Sequence, residues 1–151
     1  MTQTAPTLSD LYLDDETAWC DAMVELLDLG RHEALDYANL RELLNDMSLR
    51  ERREVVSRLR VLLTHVLKWS YQPDKRSRSW HLTILEQRDE VADRAASGVL
   101  RGHARRAVSD AYADAVERAV VETGLPAEAF PAACPFTLEQ LLSFDPAAAD
   151  I

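Results

Sequence analysis

The segment from Ser48 to Ser70 constrains the fold of this chain more than any other part of its sequence. It contains no Gly or Pro, and Ser48 precedes Glu51 by three residues, the spacing of an N-terminal capping box. We therefore predict a helix of about 33 Å that begins at Ser48 and ends before Pro73. Its apolar residues recur every three or four positions, which indicates one buried face: Val55, Leu59, Leu62, Leu63, Val66 and Trp69.

The same periodicity predicts helices in most of the remaining chain. A first helix begins at Asp14 or Asp15, either of which can cap it, and ends before Gly30. A short second helix over 36–47 places Leu40, Leu43, Leu44 and Met47 on one side and returns antiparallel to the first. We predict further helices over residues 80–96, closed by Gly98, and 100–122, closed by Gly124, and a short last helix opened by the capping pattern of Thr137–Gln140.

The periodicity defines the fold class and the organisation of the chain. Apolar residues do not alternate with period two, so no strand is predicted, and 151 residues suit one domain. We predict an all-α protein, a helical bundle of about five main helices with a Pro-rich loop and a short C-terminal helix packed on it. Residues 1–13 form an N-terminal arm, 14–145 a single helical domain and 146–151 a C-terminal tail.

Composition and charge exclude several classes of function. The formal net charge is −9, which argues against a protein that binds nucleic acid over its whole surface. No run approaches the ~18 apolar residues of a membrane span, and the first residues lack the pattern of a signal peptide, so we expect a cytoplasmic location and no membrane partner. The four glycines form no phosphate-binding loop, and Cys20 and Cys134 are predicted to be reduced structural thiols.

The charge is distributed in blocks along the sequence. Residues 1–40 carry a net charge of −8, residues 41–88 of +5 and residues 89–151 of −6. The basic block contains a segment, residues 68–88, in which basic and aromatic side chains alternate. Together with His65, it supplies the candidate residues for binding an anion or a partner: His65, Lys68, Lys75, Arg76, Arg78, Trp80 and Arg88.

Two interpretations of the segment 68–88 compete. In the first, Trp69 and Trp80 anchor the core at the two ends of a tight interhelical loop, and the arginines pair with carboxylates of the acidic blocks. In the second, the loop offers Arg and Lys side chains to an anionic partner and an aromatic face to a base. The first interpretation is favoured, because no established nucleic-acid-binding fold is evident.

No catalytic set stands out from the sequence. His65 lies at the margin of the apolar stripe, where a packed histidine is commoner than a general base. A small-molecule or enzymatic site between the third and fourth predicted helices would need His65 to converge with Arg78 and Arg88. We predict no catalytic residue, no cofactor and no metal ligand. The sequence therefore favours a protein that is not an enzyme.

The chain resembles a bacterial family known only as a domain of unknown function, number 29. The resemblance covers about residues 8–144, and its most specific stretch is SLRERREVVSRLRVLLTHVLKWSYQPDKRSRSWHLTILEQR. It implies a small, all-helical, cytoplasmic bacterial protein, and it implies no activity. The positions most like a family signature are Leu40, His65, Lys68, Trp69, Tyr71, Pro73, Arg76, Arg78, Trp80 and Arg88.

Three functional hypotheses follow. The first is a non-catalytic helical module that binds a protein partner or forms a homo-oligomer. The second is binding of nucleic acid through the segment 68–88. The third is the small-molecule or enzymatic site between the third and fourth predicted helices.

Overall fold

The computed structural model describes residues 4–148, and all of its regular structure is helical. Six α-helices follow one another, joined by turns that include three short 3-10 helices: α1 Leu8–Asp14, α2 Glu16–Asp28, α3 Tyr37–Tyr71, α4 Arg78–Arg94, α5 Gly98–Thr123 and α6 Leu138–Leu142. Over the same residues, no helix is both long and apolar enough to span a bilayer. The predicted all-α class with a short C-terminal helix is confirmed.

The chain forms two compact units, residues 1–49 and residues 50–151. The boundary between them falls inside α3, the longest helix. The first unit contains α1, α2 and the beginning of α3, and the second contains the remainder. The predicted division into an arm, a domain and a tail stays a prediction, and its residues 1–3 and 149–151 lie outside the described residues.

The first unit begins with α1, a helix that the sequence did not predict and that, except for its last residue, lies in the segment 1–13 predicted to be an N-terminal arm. Thr7 and Asp10 form a reciprocal capping box at its N-terminus. The side chain of Asp15 accepts a hydrogen bond from the backbone of Ala18, so Asp15 is the one of the two predicted candidates that caps α2. After α2, Gly30 has a φ of +69°, the left-handed conformation that glycine tolerates best.

Trp19 holds the first unit together. Its ring is fully buried and packs edge-to-face on Tyr12, with 4.8 Å between the ring centroids. Its indole nitrogen donates to the Asp36 carboxylate at 3.1 Å, and the Asn39 side-chain amide donates to the same oxygen at 2.7 Å. Burial alone would raise the pKa of Asp36, but these hydrogen bonds outweigh it and lower the pKa. The carboxylate therefore ties α2 to the start of α3.

The second unit has the larger core. Its buried side chains come from α3, α4, α5, α6 and the segment before α6, and the stripe predicted on the long helix lies in it. The alanines of α5 at positions 104, 111, 115 and 119 are fully buried. Small side chains at this spacing allow a neighbouring helix to approach closely, so the alanine stripe belongs to the core.

The prediction of separate helices over 36–47 and from Ser48 onward is wrong. Tyr37–Tyr71 is one helix of 35 residues, and Ser48 lies within it. The capping-box pattern misled because Ser and Glu are also tolerated inside a helix, and nothing between the two predicted helices breaks the backbone pattern. No Gly or Pro occurs from residue 37 to residue 71.

The predicted ends of the next two helices need smaller corrections. Ser77 caps α4, so the helix begins at Arg78, two residues before Trp80. It ends at Arg94, and Gly98, with a φ of +70°, lies at the start of α5 rather than closing α4. Gly124 closes α5 in the left-handed conformation, as predicted.

The Pro-rich segment and α6 pack on the second unit. The Tyr112 hydroxyl donates to the Pro131 carbonyl at 2.6 Å, and burial raises the pKa of Tyr112 to about 12. The capping box predicted at Thr137 is present, and Leu138 and Leu141 of α6 are buried. On the outer side of α6, Glu139 accepts from Arg105 at 2.7 Å.

Candidate functional site

Lys68 lies near the end of α3 and is buried. Its ammonium group makes an ion pair of 2.6 Å with Glu122 of α5 and lies 4.5 Å from the centroid of the Trp80 ring on α4. A buried ammonium needs such partners, because it has lost its hydration. Lys68 therefore connects three helices of the second unit.

Arg76 folds back onto the end of α3. Its guanidinium donates to the backbone carbonyl of Trp69 at 2.9 Å and stacks over the Trp69 ring at 4.9 Å from the centroid. The other side of the loop is held by Gln72, whose amide donates to the carbonyl of Thr123. These contacts fix the loop between α3 and α4 to the C-terminal ends of α3 and α5.

The aromatic residues of this segment are packed rather than displayed. Trp69 is buried and meets the His81 ring edge-to-face, with centroids 5.6 Å apart. Its indole nitrogen is buried with no hydrogen-bond acceptor among residues 4–148. Trp80 is half-buried beneath Lys68. Neither indole therefore offers an open face for a base.

Arg88 of α4 is engaged at the C-terminal end of the chain. It donates to the Phe144 carbonyl at 3.1 Å and pairs with its neighbour Asp89 at 3.1 Å. The remaining basic candidates, Lys75 and Arg78, are exposed. In the part of the chain that the structure describes, these are the two of the seven candidate residues whose side chains are exposed to solvent.

His65 is half-buried one turn before Lys68. Its Nδ1 lies 2.9 Å from the carbonyl of Val61, and because a carbonyl only accepts, Nδ1 carries the proton. Burial lowers the pKa of His65, and the positive charge of Lys68 lowers it further, against the opposing hydrogen bond to Val61. The imidazole thus has Lys68 and Glu122 as its charged neighbours, whereas Arg88 contacts the segment after α6.

A cleft of about 500 Å³ lies between α3 and α5. One wall holds the ion pair between Arg60 and Asp114, with 2.7 Å between Nε and the carboxylate oxygen. Glu122, the partner of Lys68, lies at its edge. Five of its six lining residues are charged, with charges that largely neutralise one another, and the sixth is apolar: Arg60, Asp114, Glu117, Arg118, Glu122 and Val121.

The cysteines and metal-binding residue types form no site in the described chain. Cys20 and Cys134 are both free thiols. Burial raises the pKa of Cys134, which keeps it in the unreactive protonated form. Across residues 4–148, no three His, Cys, Asp or Glu side chains come close enough to share a metal ion.

The first unit exposes several large apolar side chains, two of which the sequence placed on one helix side. Leu44 and Met47 were predicted to share a helix side, and they are 63% and 51% exposed. Of the twelve large apolar residues that are exposed in the described chain, eight lie in this unit: Leu13, Val24, Leu27, Leu29, Tyr37, Leu44, Met47 and Leu49. Between residues 4 and 49, the buried apolar residues are Trp19 and Met23.

The division into units also changes the meaning of the net charge. Residues 1–49 contain eleven acidic and two basic side chains, a net charge of −9. Residues 50–151 contain fifteen of each sign and are neutral. The net charge of the chain therefore lies in the first unit, which also contains most of the large apolar side chains that are exposed in the described chain.

Fold and surface together define a small all-helical protein whose basic segment is largely used by its own packing. The chain belongs to the family described as "Domain of unknown function DUF29", whose sequence profile matches residues 11–145. The resemblance seen in the sequence is thereby confirmed over nearly the whole chain. No curated protein and no solved structure matches the chain.

Proposed function

We propose that this protein is a helical interaction module and that its first unit, residues 1–49, is the part that binds a partner. One observation carries the proposal, the concentration of exposed large apolar side chains in that unit. A concentration of exposed large apolar side chains in one part of a small protein supports a site that another molecule covers. Among its described residues, Trp19 and Met23 are the buried large apolar side chains, so most of the large apolar surface of the unit is available to a partner.

The contacts of the basic segment support this choice over nucleic-acid binding. Lys68, Arg76 and Arg88 have partners within the second unit, so their charges are not free to neutralise phosphates. Lys75 and Arg78 alone give a small electrostatic footprint. The small-molecule alternative has less support, because His65 and Arg88 face different neighbours and the cleft beside Glu122 is charged.

The test is affinity capture with three forms of the full chain as bait. The first is the unchanged protein, and the second carries Leu44→Gln and Met47→Gln in the first unit. The third is a matched control with Val99→Gln and Val121→Gln, two exposed apolar positions of the second unit, 67% and 81% exposed. Captured proteins are quantified by mass spectrometry, and each candidate is purified and its binding measured by calorimetry.

We expect a partner that binds the unchanged protein and the control and is lost with the first-unit variant. Equal binding by all three forms would contradict the proposal. Sedimentation velocity on the same proteins tests self-association. A dimer that the first-unit substitutions dissociate would make a second copy of the chain the partner. A bacterial source and a cytoplasmic location stay predictions, and fractionation of the source cells tests the location.

A further inference from the structure

The apolar surface of α2 is wider than its packing requires. At 3.6 residues per turn, its apolar residues from Ala18 to Val24 cover an arc of about 240°, more than twice the ~100° that a surface helix needs. Trp19 and Met23 lie in the middle of the arc and are buried. Leu27 and Val24, toward one edge, are 49% and 55% exposed. That edge of α2 is therefore partly open to solvent among the residues that the structure describes.

An acidic stripe runs beside this exposed edge. Asp21, Glu25 and Asp28 recur at intervals of four and three residues, in register with the apolar residues Cys20, Val24 and Leu27, one position earlier each. All three carboxylates are exposed. Because residues three or four apart share one helix side, α2 presents an apolar strip with a row of negative charges along it.

The charge selects the class of occupant. A symmetric dimer through this edge would bring another −9 unit against this one, and an anionic membrane or a nucleic acid would be repelled in the same way. A helix with apolar residues at every third or fourth position and Lys or Arg beside them matches both strips at once.

We propose that the exposed edge of α2, formed by Val24 and Leu27 with Asp21, Glu25 and Asp28, binds a basic amphipathic helix of a partner protein. This inference rests on the proposed function and names the chemistry of the partner. The apolar strip supplies affinity, and the carboxylates supply orientation, association rate and discrimination against acidic helices.

The probe is a fluorescein-labelled leucine–lysine peptide of about 18 residues, five helical turns, with leucines at every third or fourth position. Two control peptides replace lysine by glutamate or scramble the order of residues. Fluorescence anisotropy with the full-length protein measures binding at about 50 and about 300 mM salt, a range over which surface charges become strongly screened. We expect the basic peptide to bind, more weakly at the higher salt, and the glutamate peptide not to bind.

Three variants locate the binding. Neutralising the acidic stripe with Asp21→Asn, Glu25→Gln and Asp28→Asn should weaken binding about tenfold and remove most of its salt dependence. Val24→Gln with Leu27→Gln should also weaken it about tenfold. The matched control, Leu82→Gln with Glu86→Gln on α4, changes one exposed apolar and one exposed acidic residue and should leave it unchanged. The neutralised variant removes repulsion and should fold at least as well as the unchanged protein, as urea unfolding checks.

Equal binding of the basic and glutamate peptides, or equal binding by the neutralised variant, would overturn the inference. The two proposals fail separately. If partner capture depends on the first unit while the basic peptide does not bind, the interaction function stands and the basic helix is wrong. If neither experiment depends on the first unit, both are wrong.

Discussion

Lys68 shows how this fold accommodates a charge in its interior. A buried ammonium is costly unless it is paired, and here the carboxylate of Glu122 and the ring of Trp80 replace its hydration. Glu122 itself is 46% exposed at its side chain, so the pair is screened on one side by water. The ion pair therefore stabilises the fold mainly because, without Glu122, the Lys68 ammonium would be buried with no counter-charge.

We expect Glu122→Gln to lower the free energy of unfolding by about 1–2 kcal/mol, because it leaves the Lys68 ammonium buried without its counter-charge. Urea unfolding monitored by circular dichroism measures the change. Glu117→Gln is the control, since Glu117 is an exposed acid of the same helix on the same cleft. Identical urea midpoints for the two variants would show that the ion pair contributes nothing.

His65 gives the fold a dependence on pH. Because burial lowers its pKa below the ordinary 6.5, the unfolded chain binds this proton more readily than the folded one. Stability is therefore complete above pH 6.5 and falls as the pH drops through 6.5 toward the lowered value. We expect the urea midpoint to decrease between pH of about 7.5 and about 5.5, and to decrease less in His65→Gln.

The control for this experiment is His32→Gln, which changes an exposed histidine of the first unit. It should retain the pH dependence of the unchanged protein. Acidic groups whose pKa is lowered, such as Glu139 beside Arg105, lose their contribution only near and below their ordinary value of 4.5, outside this range. A His65→Gln profile as steep as that of the unchanged protein would contradict the assignment.

At the scale of the elements, the continuity of α3 is the finding that departs most from the sequence pattern. The Ser48 pattern resembles a helix start, yet the backbone continues through it. A local capping signal is worth about 1 kcal/mol, and a break would forfeit the backbone hydrogen bonds on both sides of it. The helix therefore extends through both compact units.

Leu49→Pro distinguishes one helix from two. Proline is favoured at the first position of a helix but costs about 3 kcal/mol in a helix interior. In the continuous α3 we expect the substitution to lower helicity and the free energy of unfolding by about that amount. Leu49→Ala removes the same side chain, which is 38% exposed, without affecting the backbone and should change stability little. A harmless proline would place a helix start at this position.

At the scale of the whole molecule, the two units differ in both core and charge. The second has an extended buried core and no net charge, whereas the first buries two large apolar residues among those described and carries −9. Apolar burial is the main favourable term in folding, and uncompensated charge opposes compaction. The first unit is therefore expected to open locally more often than the second.

Hydrogen exchange measured by mass spectrometry tests this difference. We expect backbone amides of residues 40–47 to exchange faster than those of residues 55–69, although both lie in α3. Added salt of about 0.5 M should slow exchange in the first unit more than in the second, because it screens repulsion among the carboxylates. Uniform protection along α3, or no differential effect of salt, would contradict the expectation.

Much of the fold is predictable from local patterns. The apolar stripe of Val55 to Trp69, the cap at Asp15, the closing glycines Gly30 and Gly124 and the capping box at Thr137 all appear as the sequence indicates. Each of these depends on residues within one or two helical turns. Interactions between residues this close in the chain can be predicted from the sequence alone.

The candidate residues could be picked out from the sequence, but their roles could not. Lys68 and Glu122 are 54 positions apart, and no spacing rule links them. Arg88 meets the Phe144 carbonyl at a separation of 56 residues. The sequence of a basic–aromatic segment is the same whether its charged side chains are exposed to solvent or bonded to residues distant in the chain.

By itself, the sequence determined the helical class, the bounds of α2, the C-terminal ends of α3 and α5 and the acidic balance of the chain. Only the tertiary structure decided that α3 is continuous, that Lys68, Arg76 and Arg88 are engaged by other residues of the second unit and that the entire net charge lies in the unit with the smaller core. The physical reason is the separation along the chain of the residues that interact. Helix formation is governed by neighbours three and four residues away, whereas burial and ion pairing depend on which faces meet in the folded chain.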